Sequence, residues 1–222
     1  DLSEAATRVI LKRMDNVLAQ LPQAVSQAHE RIIGGRRVNN KDKILSLYES
    51  DIHVIVRGKA GAEVEFGNAL YLSEQYEGLI VDWRWIKDQP PSDSKLVHGS
   101  IERINTEYGK IESYAADRGF DSPGSRLLLE NLHIIDAICP RSVPALRAKL
   151  EDEKFCLLQK RRGGTEARIG IFKNVYLGKP LRSKGFNNRR TRIEWCVLAH
   201  NLCKLAEMAV EGRRTMRAAK AA

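Results

Sequence analysis

The chain has 222 residues, enough to bury one good core or a core with a helical appendage, so a single domain is expected. Its net charge of +9 favours a polyanionic partner, and beyond Cys139 twenty lysines and arginines face seven acids, a basic half of the kind that meets nucleic acid. There is no run of about eighteen apolar residues to span a membrane and no signal-peptide pattern.

The four cysteines, Cys139, Cys156, Cys196 and Cys203, show no disulfide framework spacing. They are read as reduced thiols of a cytoplasmic protein. Asp1 stands where an initiator methionine would, which suggests a fragment of something longer.

The first predicted element is a helix from about Ser3 to Ile33, carrying Val9, Leu11, Val17, Leu18, Leu21, Val25, Ile32 and Ile33. Pro22 should kink or divide it, and Gly34-Gly35 ends it. A basic linker follows, so residues 1–42 form an N-terminal helical segment. Three strand-like runs come next, Ile52 to Arg57, Glu63 to Leu72 and Gly78 to Lys87, spaced for an antiparallel meander. Alternation puts Val64, Phe66, Leu70 and Leu72 on one face, with Glu63, Glu65 and Tyr71 on the other. In the third run Leu79, Val81, Trp83 and Trp85 share a side, which makes Asp82 a solvent-face residue.

Past Pro90-Pro91, Asp93 or a flanking serine caps a helix to about Tyr108. Lys110 to Ala116 is a strand, Pro123 or Gly124 opens a helix, and His133 to Ile138 is a second short strand, which together read as a right-handed parallel crossover. Helical patterning resumes at Ala145 and runs to Lys160. Gly163-Gly164 should break it, with Thr165 as the N-cap of a new helix reaching about Tyr176. On that helix Glu166, Ile169, Gly170 and Lys173 share a face. After a basic loop, Lys179 to Arg190, a last amphipathic helix runs from about Thr191 and frays after Glu211 into a basic tail, 212–222. Cys196, His200 and Cys203 come near one face of it, but the neighbouring Val197, Leu198, Leu202 and Leu205 read as core rather than as the surround of a zinc site.

Two pieces carry chemistry. Asp117 ends a strand before a glycine-permitted turn, where open α/β sheets place reactive groups, and Glu166 lies on a helix near cations. Arg162, three residues, Glu166, six residues and Lys173 resemble the Y-x2-R-x3-E-x6-K signature of the DDE transposases of bacterial insertion sequences, with Gln159 at the tyrosine position. Asp117-Arg118-Gly119-Phe120 resembles the second-aspartate motif of that family. Trp195 to Leu202 looks like its closing helix, and the order of elements agrees from about Lys43 to Ala206.

The resemblance implies an α/β fold, an RNase H-like mixed sheet flanked by helices over 43–211. It implies metal-dependent DNA cleavage and strand transfer, with Asp117 and Glu166 as catalytic residues and ligands of a two-metal Mg2+ or Mn2+ site. DNA, both element ends and target, would be the partner of a nucleoid-associated homo-oligomer. Arg162 and Lys173 would contact the backbone phosphates, joined by Arg118, Arg161 and Arg168. The family's first catalytic aspartate lies on a first strand of the sheet, and no such strand is read upstream of Lys43. Asp51 or Asp82 would replace it only with a different sheet order. The alternative is a truncated, non-catalytic remnant that binds DNA through its basic half; a third reading is a free-standing nuclease. The five histidines stand beside no nucleophile motif, so serine, cysteine or histidine chemistry is not expected.

Overall fold

A computed structural model describes residues 2–59, 62–178 and 181–221, with side chains outside 57–59, 62–63 and 214–221. The fold is mixed α/β. Six α-helices and three two-stranded sheets are described, and the chain divides into two compact units.

The first unit takes the chain up to Leu70 together with Trp85–Pro90 and Ser183–Arg189. Helix α1 (Glu4–Ala28) starts at Ser3, whose hydroxyl accepts the Ala6 N–H. It runs through Pro22 as one helix and ends in a π-helical turn, His29–Ile33. As expected, the chain leaves at Gly34-Gly35, where Gly35 takes a φ of +60°. The basic linker folds back, with Arg36 donating twice to the Glu30 carboxylate. Strands β1 (His53–Lys59) and β2 (Ala62–Gly67) form an antiparallel hairpin, with Val54 opposite Phe66. Its expected glycine turn lies partly at residues 60–61, outside those described. Asn68 then clamps the unit by donating to the carbonyls of Asp51 and Ile86, at 2.5 and 3.2 Å.

The long strand expected over Glu63 to Leu72 is therefore two. Asn68 is used as a cross-link instead of a ladder residue, and β3 (Leu70–Glu74) pairs with β4 (Ile80–Trp85) rather than continuing β2. Their faces are also inverted. Tyr71 is buried, its hydroxyl 2.9 Å from Ser100 Oγ and 3.1 Å from the Tyr114 hydroxyl, while Phe66 is exposed. Asp82, expected to face solvent, is 6% exposed and forks onto Arg103 at 2.8 and 2.7 Å. A charged residue enters an interior when a guanidinium meets both its oxygens, a condition that period-two counting cannot see.

The second unit comprises Tyr71–Arg84, Pro91–Arg182 and the chain from Arg190 onward. Its core lies between α2 (Asp93–Tyr108) and the crossover β5 (Ser113–Ala116), α3 (Pro123–Asn131), β6 (Ile135–Ile138), with β5 and β6 parallel as expected. Val97 and Ile101 pack on Tyr114, Ala116, Leu129, Ile134 and Ile138. Pro123 occupies the first turn of α3, and Ser122 caps it by accepting the Ser125 N–H at 3.0 Å. His133 takes the left-handed conformation (φ 52°) that turns α3 into β6.

Helix α4 (Val143–Lys149) is short, and α5 (Glu153–Ile171) begins at the Asp152 cap, not at Thr165. The helix passes through Gly163-Gly164 unbroken and continues in a π-helical turn, Phe172–Leu177. Helix α6 (Phe186–Ala221) starts five residues before the expected Thr191 and extends through the stretch expected to fray. Residues 179–180 of the basic loop lie outside those described.

Candidate functional site

The site is built where α5 meets the ends of β5 and β6. The carbonyls met there belong to small residues, Ala116 at the end of β5 and Ala137 one residue before the end of β6. Gln159 makes the contact: its Nε2 donates to the carbonyls of Ala116, at 3.0 Å, and Ala137, at 2.5 Å. Its Oε1 accepts from Arg162 Nε at 2.9 Å, and the Arg162 guanidinium lies 3.8 Å from Glu166 Oε1. Residues 159, 162 and 166 are spaced for one helical face, and Glu166 stands about 10 Å further along the axis than Gln159. Its side chain is 79% exposed.

Asp117 follows Ala116 directly. It caps the 3-10 turn Arg118–Phe120, with Oδ1 accepting the Gly119 N–H at 2.8 Å, and it is exposed. Arg141 fastens the same turn by donating to the carbonyls of Arg118, at 3.0 Å, and Gly119, at 3.1 Å. Asp121 completes it. Burial pushes this carboxyl up, but the Arg141 N–H at 2.7 Å and the Arg126 guanidinium outweigh burial and hold it below the ordinary carboxylate range.

A second carboxylate reaches the turn. A methyl on Gly119 would lie 2.5 Å from Asp93 Oδ2 and 3.0 Å from Asp117 Oδ1, so the two acids close on the same piece of backbone. Asp93 was expected only as a helix cap. In the structure Ser92 holds the cap position of α2 and Asp93 is its first residue, beside the Asp117 turn. The signal was present as an acid in a Ser-Asp-Ser run, but capping explains such a run equally well.

The expected phosphate contacts divide into two groups. Arg118 is exposed beside Asp117, and Arg162 lies between Gln159 and Glu166. Arg161 and Arg168 are both engaged on Glu74: Arg161 Nη1 at 3.0 Å, and Arg168 through Nε at 2.8 Å and Nη2 at 2.5 Å. Thr165 Oγ1 donates to the same carboxylate at 2.6 Å. Two guanidiniums on one half-buried carboxylate leave one positive charge in excess, and their first task is to hold the β3–β4 turn against α5. Lys173 falls in the π-helical turn that continues α5.

On α6 the Cys196 and His200 side chains serve packing. Cys196 is buried with Sγ 3.1 Å from the Tyr176 carbonyl, and burial raises its thiol pKa. His200 Nε2 lies 3.0 Å from the Gly78 carbonyl, and its ring meets Phe172 and Tyr176 edge-on. Asn201 brackets the backbone of Ile80, bonding both its N–H and its carbonyl at 2.9 Å.

Asp117 and Glu166 offer hard oxygen donors of the kind Mg2+ and Mn2+ accept. Among the described residues, however, no group of three or more histidine, cysteine or acidic side chains is arranged to hold a metal ion. These donors alone do not complete a two-metal site. No described helix is long and apolar enough to cross a membrane. No family model, curated protein or solved structure matches the chain.

Proposed function

We propose that this chain is a catalytic domain of a DDE transposase with an RNase H-like sheet, acting in DNA strand cleavage and strand transfer. The observation that carries the reading is the Gln159 bridge. The helix bearing the arginine and glutamate of the signature is bonded to the carbonyl immediately before Asp117. Two segments more than forty residues apart, singled out for one chemistry, are thereby joined by a direct hydrogen bond.

In this reading Asp117 and Glu166 are the acids of the site, and a divalent metal would neutralise charge on the scissile phosphate. Arg162, held by Gln159, is a positioned cation beside Glu166 that would meet a backbone phosphate. Arg118, exposed on the Asp117 turn, would meet another. The excess of lysine and arginine beyond Cys139 would supply affinity not specific to sequence and a steep salt dependence. A cytoplasmic, nucleoid-associated homo-oligomer on its DNA ends is part of the same proposal.

The second reading, DNA binding without cleavage, is favoured by the strong exposure of Glu166 and the incomplete donor set. Nicking of supercoiled plasmid in Mn2+ separates the two, together with DNA binding measured across a salt series. The catalytic reading expects nicking that Asp117→Asn and Glu166→Gln each abolish with binding retained. Binding that falls steeply with salt but no nicking supports the second reading, and affinity unchanged from low to moderate salt overturns both.

A further inference from the structure

Helix α1 is covered on the wrong side for a helix that folds alone. Gln20, Gln23 and Gln27, spaced by three and four residues, line its polar face. Their amides donate to the carbonyls of Leu47 (3.1 Å), Asp42 (2.7 Å) and Ile44 (3.1 Å), while Gln27 Oε1 accepts the Ile44 N–H at 2.8 Å. The chain over 42–47 is thus strapped along the glutamines. The opposite face carries Leu11, Met14, Leu18, Leu21, Val25 and Ala28, again at alternating spacings of three and four. It is bare: Leu18 is 58% and Val25 66% exposed, and α1 buries no residue. An apolar seam with a strict seven-residue repeat has the form of a surface made for another helix.

We infer that this seam is the interface with a second copy of the chain, in which two α1 helices pack antiparallel. With Leu11, Leu18 and Val25 as first and Met14, Leu21 and Ala28 as fourth heptad positions, an antiparallel register places Leu11 opposite Ala28, Met14 opposite Val25 and Leu18 opposite Leu21. Large residues then face small ones at the ends, and the two leucines meet near the centre. The flanks decide the orientation. Ile10, Val17 and Ala24 form one flank and Arg8, Asp15, Pro22 and His29 the other. An antiparallel pair puts apolar flank on apolar flank, Val17 against Ala24. A parallel pair would set Ile10 beside Asp15 and bury a carboxylate edge against isoleucine.

Charge leaves the seam itself apolar: residues 16–28 carry none, and in the first half of α1 Lys12 and Arg13 fall at the second and third heptad positions, away from the seam. The seam with its apolar flank exposes on the order of 600 Å² per copy, close to the roughly 800 Å² each partner contributes to a stable interface.

The test is sedimentation of the full chain over a concentration series, for the wild type, Leu18→Glu and the off-seam control Ser26→Glu. Because α1 buries nothing within one chain, Leu18→Glu should retain its helical circular dichroism. The expected result is a wild-type and Ser26→Glu dimer, with dimerisation at least about a hundredfold weaker in Leu18→Glu. Orientation is read by disulfide formation in a Cys203→Ser background: Met14→Cys and Val25→Cys chains should cross-link when mixed, and neither with itself. A monomeric wild type, which would leave the seam to another partner or a lipid surface, overturns the inference. So does a dimer indifferent to Leu18→Glu, or self-linking of either cysteine variant.

Discussion

The Gln159 carboxamide donates to the carbonyl of Ala116, the residue before Asp117, and in the same gesture to that of Ala137 on the neighbouring strand. One side chain thereby ties the ends of two parallel strands to α5, with Arg162 bonded to the same carboxamide and Glu166 about two turns further along the helix than Gln159. Gln159→Leu keeps most of the volume and removes both donors, leaving two strand-end carbonyls without this partner. The expected loss is about 1–3 kcal/mol, measured by urea unfolding. In the plasmid assay nicking should fall further than DNA binding, because the substitution moves the helix without removing a cation. Equal losses of the two would argue that Gln159 has no part in positioning.

Glu74 is held by Arg161, Arg168 and Thr165, with its side chain only 13% exposed. Removing its charge strands two guanidiniums in a half-buried place. Glu74→Gln is expected to destabilise by about 2–4 kcal/mol. The same substitution releases positive charge, so the salt slope of DNA binding should steepen by about one to two counterions while stability falls. An unchanged slope would place Arg161 and Arg168 outside the DNA contact.

Asp82 and Arg103 form a pair with unequal burial, the carboxylate almost wholly enclosed and the guanidinium about one-third exposed. Breaking it from the two ends should therefore cost different amounts. Arg103→Met leaves an ionised carboxylate inside and is expected to cost about 3–5 kcal/mol, whereas Asp82→Asn leaves a cation that can turn to water and should cost less. Chemical denaturation of both variants checks the order, and a reversed order would contradict the burial argument.

Asp121 makes stability depend on pH. Its folded-state pKa is lowered, so its contribution is fully present above the unfolded value near 4 and is lost as pH falls through the folded value. At pH 7 Asp121→Asn should be less stable than wild type by about 2–4 kcal/mol. The gap should narrow progressively below about pH 4. Thermal unfolding of both proteins between pH 7 and 3 reads this out, and a gap constant with pH would mean that the side chain acts through shape and not charge.

The elements most legible in the sequence were those whose signals are local. Ser3 and Pro123 mark helix starts, Gly35 marks an end, and the short apolar runs around Asp117 and Ile138 form the parallel crossover. These depend on backbone geometry within a few residues. Gly163-Gly164 looked like a break by the same logic. The helix crosses it because Arg161, Thr165 and Arg168, on either side, converge on Glu74, and such tertiary bonds outweigh the roughly 1 kcal/mol that each glycine costs a helix.

Strand faces were misread for a related reason. Tyr71 and Asp82 looked outward because polar residues in an alternating run ordinarily do. They turn inward because Ser100, Tyr114 and Arg103 wait for them on elements from 21 to 43 residues away. Alternation tells which residues share a face, and only the partners tell which face is buried.

By itself the sequence determined the charge asymmetry, the helix starts at Ser3 and Pro123, the crossover around Asp117, and the spacing of Gln159, Arg162 and Glu166, since each is written in composition or within a few helical turns. Only the tertiary structure decided that Gln159 binds the strand end before Asp117, that Asp93 comes to the same turn, and that Arg161 and Arg168 spend their hydrogen bonds on Glu74. A hydrogen bond is won by whichever donor and acceptor the packed elements bring within about 3 Å, and that distance is a property of the fold as a whole.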